Sequence, residues 1–365
     1  MITHQTRGFG SPSRYIQGRF ELTKLKEYTD IYGKTIYILV DSFFFNEYQE
    51  KFSEMYQDTK MMIREYQGEI TAEKIDAYLA EAGEFVPEVV VGMGGGKTMD
   101  TGRALADAWG AATIIVPTTA STDAPVIGLS VLYDESGKHI GARHYRRNPD
   151  LVLLDTDIIV KAPVRFLVSG MGDALATFIE TRANVESDSA NYIDKGYRVT
   201  LAAQAIAMAC HETILSKGVR AKQAAENGLC TVDVEDVIEA NTLLSGLGVQ
   251  NSGCAGAHSV AEGLTVLPGA GKMLHGELVA FGCLVQLIIE GREEEEFFEL
   301  FEFFKEVGLP TDFEMLNIGD ATPDDIMRVA EASMHSYWER EPFPVTPLMI
   351  SDAIRLVDVI AKKYE

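Results

Sequence analysis

The chain has 365 residues, of which 46% are hydrophobic and 24% are charged, and 55 acidic against 32 basic side chains give a formal net charge of −23. This composition is that of a globular protein, which excludes extended disorder, collagen and a coiled coil. The acidic balance argues against nucleic acid or an anionic membrane as a partner, and no apolar run reaches the ~18 residues that a membrane helix needs. The first residues, Met1 to Gln5, are polar and lack a signal-peptide core, so we expect a cytoplasmic protein with its four cysteines reduced.

Up to residue 162, the chain alternates between β-branched apolar runs and stretches with helical spacing. Such alternation predicts a parallel sheet with helices on its faces. A further pair of strands, 126–133 and one near 140, is predicted to form a hairpin around a turn at 134–138. The other predicted strands are 34–41, 61–66, 88–96, 112–117 and 151–155, and the predicted helices are 46–57, 72–82 and 97–109.

From residue 163 onward, periods near 3.6 dominate and β-branched runs become rare, which predicts helices alone. We therefore expect two domains, an α/β domain at 1–162 and an all-α domain at 163–365. The predicted helices of the second domain are 171–186, 189–216, 233–248, 253–264, 272–290, 293–307, 323–337 and 347–363.

A glycine-rich turn follows the predicted strand 88–96 and opens a helix, with the sequence GMGGGKTMD at 92–100. Backbone N–H groups and a positive helix N-terminus at such a turn can hold a diphosphate. It is not a Walker A loop, because Val91 stands where that pattern needs glycine, nor a regular G-x-G-x-x-G, because Lys97 takes the third position. A purely structural turn is the alternative. Asp41 ends an earlier strand, where a carboxylate can bind a ribose diol and repel a 2′-phosphate, although an exposed acid there is common.

Five stretches occur in order along the chain: GGGKTMD at 94–100, PTTASTDAP at 117–125, APVRFLVSGMGDALAT at 162–177, ANTLLSG at 240–246 and HGELVAFG at 275–282. Together they resemble the glycerol dehydrogenases, the zinc-dependent branch of the iron-containing alcohol dehydrogenase superfamily, from about residue 30 to the C-terminus. The resemblance implies a Rossmann-like dinucleotide-binding domain followed by an all-α domain, an architecture similar to that of dehydroquinate synthase. This agrees with the two domains expected from the residue pattern.

The resemblance implies that Asp173, His258 and His275 bind a zinc ion, Zn²⁺, and contact the substrate. Two neutral imidazoles and an ionised carboxylate suit a catalytic zinc site with open positions, and both protonation states hold near pH 7. The iron-dependent branch carries a further histidine one helical turn after the aspartate, where this chain has Thr177, so zinc is favoured over iron. We expect the other five histidines to be structural.

The resemblance also implies NAD as the cofactor and Asp123 as a catalytic residue that touches the substrate. Asp123 follows the strand that ends at Pro117, at the sheet edge where α/β proteins bind ligands. Position 127 holds Ile127 where the family has serine, which removes a hydroxyl from that contact. The expected cofactor-binding residues are Asp41, Gly94, Gly95, Gly96, Lys97, Thr98, Met99, Asp100, Thr118, Thr119, Ala120, Ser121, Ile127, Leu129 and Tyr133.

The implied activity is the oxidation of glycerol and related vicinal diols, glycerol giving dihydroxyacetone by hydride transfer from a metal-bound alkoxide to NAD. The alternatives are a glycerol-1-phosphate dehydrogenase, a lyase similar to 3-dehydroquinate synthase, and a catalytically silent binding protein. The lyase is less favoured because its first metal ligand is glutamate and no cluster of basic residues lies near the metal motifs. We expect small-molecule substrates only and, from the family, a homo-oligomer such as an octamer.

Overall fold

The computed structural model describes residues 6–133, 139–194, 196–335 and 337–364, without the side chains of residues 133, 139 and 140. The polar segment 1–5 and the predicted hairpin turn at 134–138 lie outside the described residues. The chain divides into two compact units. An α/β unit comprises Ser11–Thr119 and Ala124–Ala162, and a helical unit comprises Pro163–Glu365 together with Ala120–Asp123 and the chain up to Gly10.

The α/β unit is built on a six-stranded sheet in which every pair of neighbouring strands is parallel, as the sequence predicts. Its strands are β1 (Tyr15–Gly18), β2 (Thr35–Asp41), β3 (Lys60–Tyr66), β4 (Val89–Gly94), β5 (Ala112–Pro117) and β8 (Leu151–Asp155), in the order β1-β8-β5-β4-β2-β3. The separate strands β6 (Leu129–Tyr133) and β7 (His139–His144) pair antiparallel, which confirms the predicted hairpin strands. The helices of this unit are α1 (Leu25–Thr29), α2 (Ser42–Met55), α3 (Ala72–Ala82), α4 (Gly96–Trp109) and α5 (Thr156–Ile159).

The central strands are buried on both faces, which explains why their sequences are continuous apolar runs rather than alternating ones. Along β2, Ile36, Ile38 and Val40 belong to the core on one face of the sheet, and Tyr37 and Leu39 belong to the core on the other. Strand β1 was not predicted. It has four half-buried residues at the edge of the sheet, too few for the apolar period to reveal it.

Close glycine packing positions the turn between β4 and α4. A Cβ atom on Gly102 would lie 3.0 Å from the Cα of Gly92, so the helix can approach the strand only because both residues lack side chains. Gly94 pairs with Pro117 at the end of β5, and Asp41 ends the neighbouring strand β2. The carboxyl ends of three adjacent strands therefore meet at one edge of the sheet, where α/β sheets bind their ligands.

The helical unit contains α6 (Val164–Glu186), α7 (Leu201–Glu226), α8 (Val232–Glu239), α9 (Ser245–Ser252), α10 (Gly256–Leu264), α11 (His275–Ile289), α12 (Glu294–Val307), α13 (Pro323–Ser333) and α14 (Pro347–Lys363). A π-helical turn, Ala240–Leu244, joins α8 to α9, so the single helix predicted at 233–248 is in fact three consecutive segments. Helix α6 begins seven residues before residue 171, the first residue of the predicted helix. The prediction of a helix at 189–216 is wrong in its bounds, because the Thr200 hydroxyl accepts a hydrogen bond from the Ala203 N–H and starts α7 there.

Two of these helices form the centre of the unit. Helix α11 is buried along nearly its whole length, and α6 is buried from Leu167 to Asn184 with few interruptions. Both helices therefore lie in the interior of the unit, and the polar side chains that α6 carries there, Asp173 and Glu180 among them, are buried with it. Among the residues that the structure describes, no helix combines the length and the apolar character needed to cross a membrane.

Candidate metal centre and glycine-rich turn

Three helices bring Asp173, His258 and His275 together. Asp173 lies within α6, His258 lies in the first turn of α10, and His275 is the first residue of α11. Glycines beside the aspartate and beside His275 make this approach possible: a Cβ on Gly172 would lie 2.4 Å from the carbonyl oxygen of Gly276, and one on Gly276 would lie 1.9 Å from that of Ser169. Contacts that short cannot occur, so both positions must be glycine for α6 and α11 to pack as they do.

The three side chains converge on one carboxylate oxygen. Asp173 Oδ1 lies 3.5 Å from His258 Nε2 and 3.4 Å from His275 Nε2. One ligand atom from each residue falls within 4.8 Å of the others. In a tetrahedral zinc site with bonds of 2.0–2.2 Å, ligand atoms stand roughly 3.3–3.5 Å apart. The observed separations from Asp173 Oδ1 therefore match those around a small divalent metal ion.

Hydrogen bonding within the described part of the chain leaves Asp173 Oδ1 unpaired although it is buried. Its other oxygen accepts the backbone N–H of Asp123 at 3.2 Å. Burial alone would raise the pKa of Asp173, but the two imidazoles hold the pKa of its carboxyl below the usual range, so the residue is an ionised carboxylate. A buried anionic oxygen that accepts no well-formed hydrogen bond is costly, and a metal ion between it and the imidazoles would satisfy it. The residues present thus fit a divalent metal.

Glu180 orients His258 and was missed by the sequence analysis. Its Oε2 lies 2.7 Å from His258 Nδ1, and its Oε1 accepts the backbone N–H groups of His258 and Ala255 at 2.9 and 2.8 Å. A hydrogen bond at Nδ1 fixes the tautomer and leaves Nε2 for a metal. The available signal was spacing, since Glu180 follows Asp173 by seven residues and so lies two turns along the same face of α6.

A second group of possible ligands consists of Glu180, Cys254 and His258, all buried. Both Glu180 oxygens already accept hydrogen bonds from the protein, whereas Asp173 Oδ1 accepts none in the described residues. The first group is therefore the better metal centre, and Glu180 is a support for it.

Asp123 lies next to this centre, on a loop that belongs to the helical unit. Burial, followed by the nearby Asp173 carboxylate, raises the pKa of Asp123 to about 7. The Asn241 side chain, in the π-helical turn, donates to the carbonyl oxygens of Ala120 at 2.9 Å and Leu167 at 3.0 Å. These two hydrogen bonds connect the loop that carries Asp123 to α6, and they hold Asp123 beside the predicted ligands.

Thr177 lies one turn beyond Asp173 and faces α9 instead of the metal centre. Its hydroxyl hydrogen-bonds with that of Ser245 at 2.9 Å, and its methyl group stands 2.2 Å from the place of a Cβ on Gly248. No space remains there for a larger side chain without displacement of α9.

The glycine-rich turn at the start of α4 has open space over part of its backbone. A Cβ on Gly95 or Gly96 would meet nothing within 4 Å, and no side chain caps the helix. A Cβ on Gly94, in contrast, would lie 2.8 Å from Asp41 Cβ and from Thr98. Gly94 is thus required by packing, while the next two glycines leave the helix N-terminus accessible to an anion.

The remaining predicted cofactor residues differ in how accessible their side chains are. Asp41 and Lys97 are at the turn: Asp41 Oδ2 accepts the Thr98 hydroxyl at 3.2 Å, and Lys97 pairs with Glu69. Asp100 instead faces the interior, where it pairs with Arg103 and accepts the Val131 N–H at 2.8 Å. Met99, Thr118, Ala120 and Ile127 are also buried, Thr119, Ser121 and Leu129 are half-buried, and the side chain of Tyr133 lies outside the described part.

Comparison with known proteins places this chain and its fold in a family. Residues 12–156 match the family described as iron-containing alcohol dehydrogenase. The chain is 39% identical to a glycerol dehydrogenase of Thermotoga maritima, covering 95% of both chains, and 36% identical to a glycolaldehyde reductase of Halobacterium salinarum, covering 98% of this chain and 99% of that one. The crystal structure of glycerol dehydrogenase from Schizosaccharomyces pombe matches with a TM-score of 0.92 at 35% identity, covering 98% of this chain and 92% of that one.

The fold is accordingly that of an alcohol dehydrogenase with an α/β and a helical unit. The chain belongs to the iron-containing alcohol dehydrogenase family, and among its full-length relatives are several glycerol dehydrogenases.

Proposed function

We propose that the protein oxidises glycerol at C2 to dihydroxyacetone, with NAD as the hydride acceptor and a zinc ion held by Asp173, His258 and His275. The observation that carries the proposal is the buried, unpaired Oδ1 of Asp173 between two imidazole nitrogens at 3.4 and 3.5 Å. The glycerol dehydrogenases among the relatives support the choice of substrate.

The chain's own residues supply positions and charge. Asp173 and His258 are both buried, while the His275 side chain is about half exposed, at 49%, which leaves a side of the centre open to substrate. A zinc ion there would act as a Lewis acid that lowers the pKa of a hydroxyl bound to it, and NAD would take up the hydride. Gly95 and Gly96 would allow the cofactor diphosphate to approach the N-terminus of α4.

Asp123 would recognise a second hydroxyl of the substrate. Its backbone N–H is bound to Asp173, so its carboxyl group is held near the centre and can hydrogen-bond to a neighbouring hydroxyl. A site built to hydrogen-bond a hydroxyl rejects analogues that lack it by up to roughly 10⁴-fold. We therefore expect glycerol and 1,2-propanediol to be good substrates, and 1-propanol and glycerol phosphates to be poor ones.

A second candidate is the reduction of glycolaldehyde, which the Halobacterium relative favours. This reaction is a carbonyl reduction, the reverse of an alcohol oxidation. Glycolaldehyde is smaller than glycerol but also carries two adjacent oxygens. The homo-oligomeric assembly and the cytoplasmic location expected from the sequence stay predictions.

The test is a steady-state panel on zinc-loaded protein, with glycerol, 1,2-propanediol, 1-propanol and glycerol 1-phosphate as substrates for NAD reduction, and glycolaldehyde for NADH oxidation. We expect the highest kcat/KM among the alcohols for the diols, and Asp123→Ala should narrow the gap between 1,2-propanediol and 1-propanol. If glycerol 1-phosphate is the best substrate, the proposal is wrong, and a higher kcat/KM for glycolaldehyde than for glycerol would favour the second candidate.

A further inference from the structure

A small cavity lies within the α/β unit, near the amino-terminal end of β5. It is lined by Asp107 in the last turn of α4, by Thr113, and by the segment 145–150 that leads from β7 to β8. Its volume is about 40 Å³, enough for roughly three water molecules or one small ion, since a single water needs ~10–15 Å³. The glycine-rich turn follows the carboxyl end of β4, so the cavity and the turn lie at opposite edges of the same parallel sheet.

Two buried hydrogen-bond donors among the lining residues make no well-formed hydrogen bond. In the part of the chain that the structure describes, Arg103 Nε has no acceptor, and the Tyr145 hydroxyl has only the nearby Ser130 side chain, outside good hydrogen-bond geometry. Arg103 is only 2% exposed, and its other nitrogens donate to Asp100 and to the carbonyl oxygens of Leu129 and Ala124. Buried donors are nearly always satisfied, so two that lack a well-formed hydrogen bond at a single cavity indicate that something else occupies it.

The charges around the cavity favour an anion over water. Arg146 and Arg147 also line it, and neither forms an ion pair with any residue that the structure describes. The two carboxylates at the wall are already engaged, Asp107 with Arg143 at 2.7 Å and Asp150 with the Thr113 N–H at 2.9 Å. The lining thus carries three guanidinium groups against two carboxylates, in a chain whose net charge is −23.

We propose that this cavity is a binding site for a small oxyanion. Arginine guanidinium groups bind phosphate and carboxylate oxygens through paired, charge-assisted hydrogen bonds. An oxyanion between Arg146 and Arg147 would also accept hydrogen bonds from Arg103 Nε and from the Tyr145 hydroxyl. Water could satisfy the last two groups, but it would not explain the two exposed arginines beside them. The site is independent of the metal centre, because all of its residues belong to the α/β unit.

The experiment is isothermal titration of the full-length protein with inorganic phosphate, and separately with acetate, at constant ionic strength set with chloride. We expect saturable binding of one anion per chain. The double variant Arg146→Gln/Arg147→Gln should weaken it at least about tenfold, or 1.4 kcal/mol. Tyr145→Phe should weaken it by a smaller factor. The matched control is Arg328→Gln/Arg355→Gln, which removes two exposed positive charges from the helical unit and should leave binding unchanged.

Tighter binding of phosphate than of acetate would identify a phosphate group as the ligand, and the reverse order a carboxylate. Phosphate binding that NAD displaces and that the cavity variant does not weaken would place the anion at the glycine-rich turn and overturn the proposal. The absence of saturable binding by either anion would overturn it as well. Circular dichroism of each variant checks that the fold is retained.

Discussion

The metal centre and the glycine-rich turn achieve binding in opposite ways. The centre depends on side chains that are present, three ligands and Glu180, drawn from three helices that begin at Val164, Gly256 and His275. The turn depends on side chains that are absent, at Gly95 and Gly96, within one continuous strand–turn–helix segment. Removal of atoms should therefore damage the first region, and addition of atoms should damage the second.

The largest effect is expected for His275→Ala. It removes a ligand while leaving the fold intact, because this side chain is half exposed and its loss creates no closed cavity. We expect the bound zinc to be lost and kcat/KM to fall by about 10³-fold or more, since Lewis-acid stabilisation is worth several kcal/mol. Metal analysis and steady-state kinetics measure both. His335→Ala, an exposed histidine in the same unit, is the control, and a variant that keeps full activity without metal would contradict the metal centre.

Glu180→Gln is expected to weaken zinc binding by about 10–100-fold, the usual cost of losing a group that orients a histidine ligand. The amide has a single acceptor oxygen, which can serve either His258 Nδ1–H or the backbone N–H groups of Ala255 and His258, and it lacks the negative charge that strengthens the imidazole as a ligand. Competition with a chromophoric chelator gives the zinc affinity without reference to activity. Glu331→Gln, on the surface of α13, should leave that affinity unchanged, and an unchanged affinity in Glu180→Gln would mean that this carboxylate is only structural.

Gly96→Val tests the glycine-rich turn, where an added side chain should impair binding. The protein itself leaves room for the new side chain, so we expect a small change in stability, of the size of a helix-propensity difference. The side chain would occupy space that the cofactor diphosphate needs, so the affinity for NAD should fall about tenfold or more, or at least 1.4 kcal/mol. Thermal unfolding and NAD titration separate the two quantities. Gly271→Ala, an exposed site with ordinary contacts, is the control, and unchanged NAD affinity in Gly96→Val would place the diphosphate elsewhere.

Asp41→Asn should have the smallest effect. The amide oxygen can still accept the Phe43 N–H and cap α2, so stability should change little. Loss of the negative charge should raise kcat/KM with NADP relative to NAD by a few-fold, because a 2′-phosphate would no longer be repelled. The ratio of kcat/KM for the two cofactors measures this, and an unchanged ratio would remove Asp41 from the ribose site.

The sequence predicted those elements whose signal is local. Strands β4 and β5 were found because each is a continuous buried apolar run, and α3 was found with its correct ends because Thr71 caps it and Gly83 ends it. The start of α7 was placed too early because the apolar residues Tyr192, Ile193 and Val199, which precede Thr200, do not by themselves distinguish a loop from a helix. The first turns of α6 were also missed, because Gly170 and Gly172 interrupt the apolar pattern that would indicate a helix.

The candidate site was named from motifs, but its geometry could not be predicted from local pattern. Nothing in the sequence states that Gly172 lies against Gly276, although that contact lets Asp173 and His275 meet. The role of Glu180 is likewise visible only when its distance to His258 is known, because a buried glutamate in a helix pattern resembles an exposed one. Long-range packing, and not residue type, determines these features.

The π-helical turn has a consequence for how the helical unit tolerates changes of length. A π-turn amounts to one extra residue in an otherwise regular α-helix, and here the turn holds Asn241, the residue that ties the Ala120 carbonyl to α6. Deleting one residue from 242–244 would let α8 and α9 run as a single regular helix, a backbone arrangement that is locally easier. The same deletion would rotate the following segment by about 100° and pull Ser245 away from Thr177. The extra residue thus sets the rotation of α9 relative to α8. A chain shortened by one residue would gain a more regular helix but lose the alignment of Asp123 with the ligands of the metal centre.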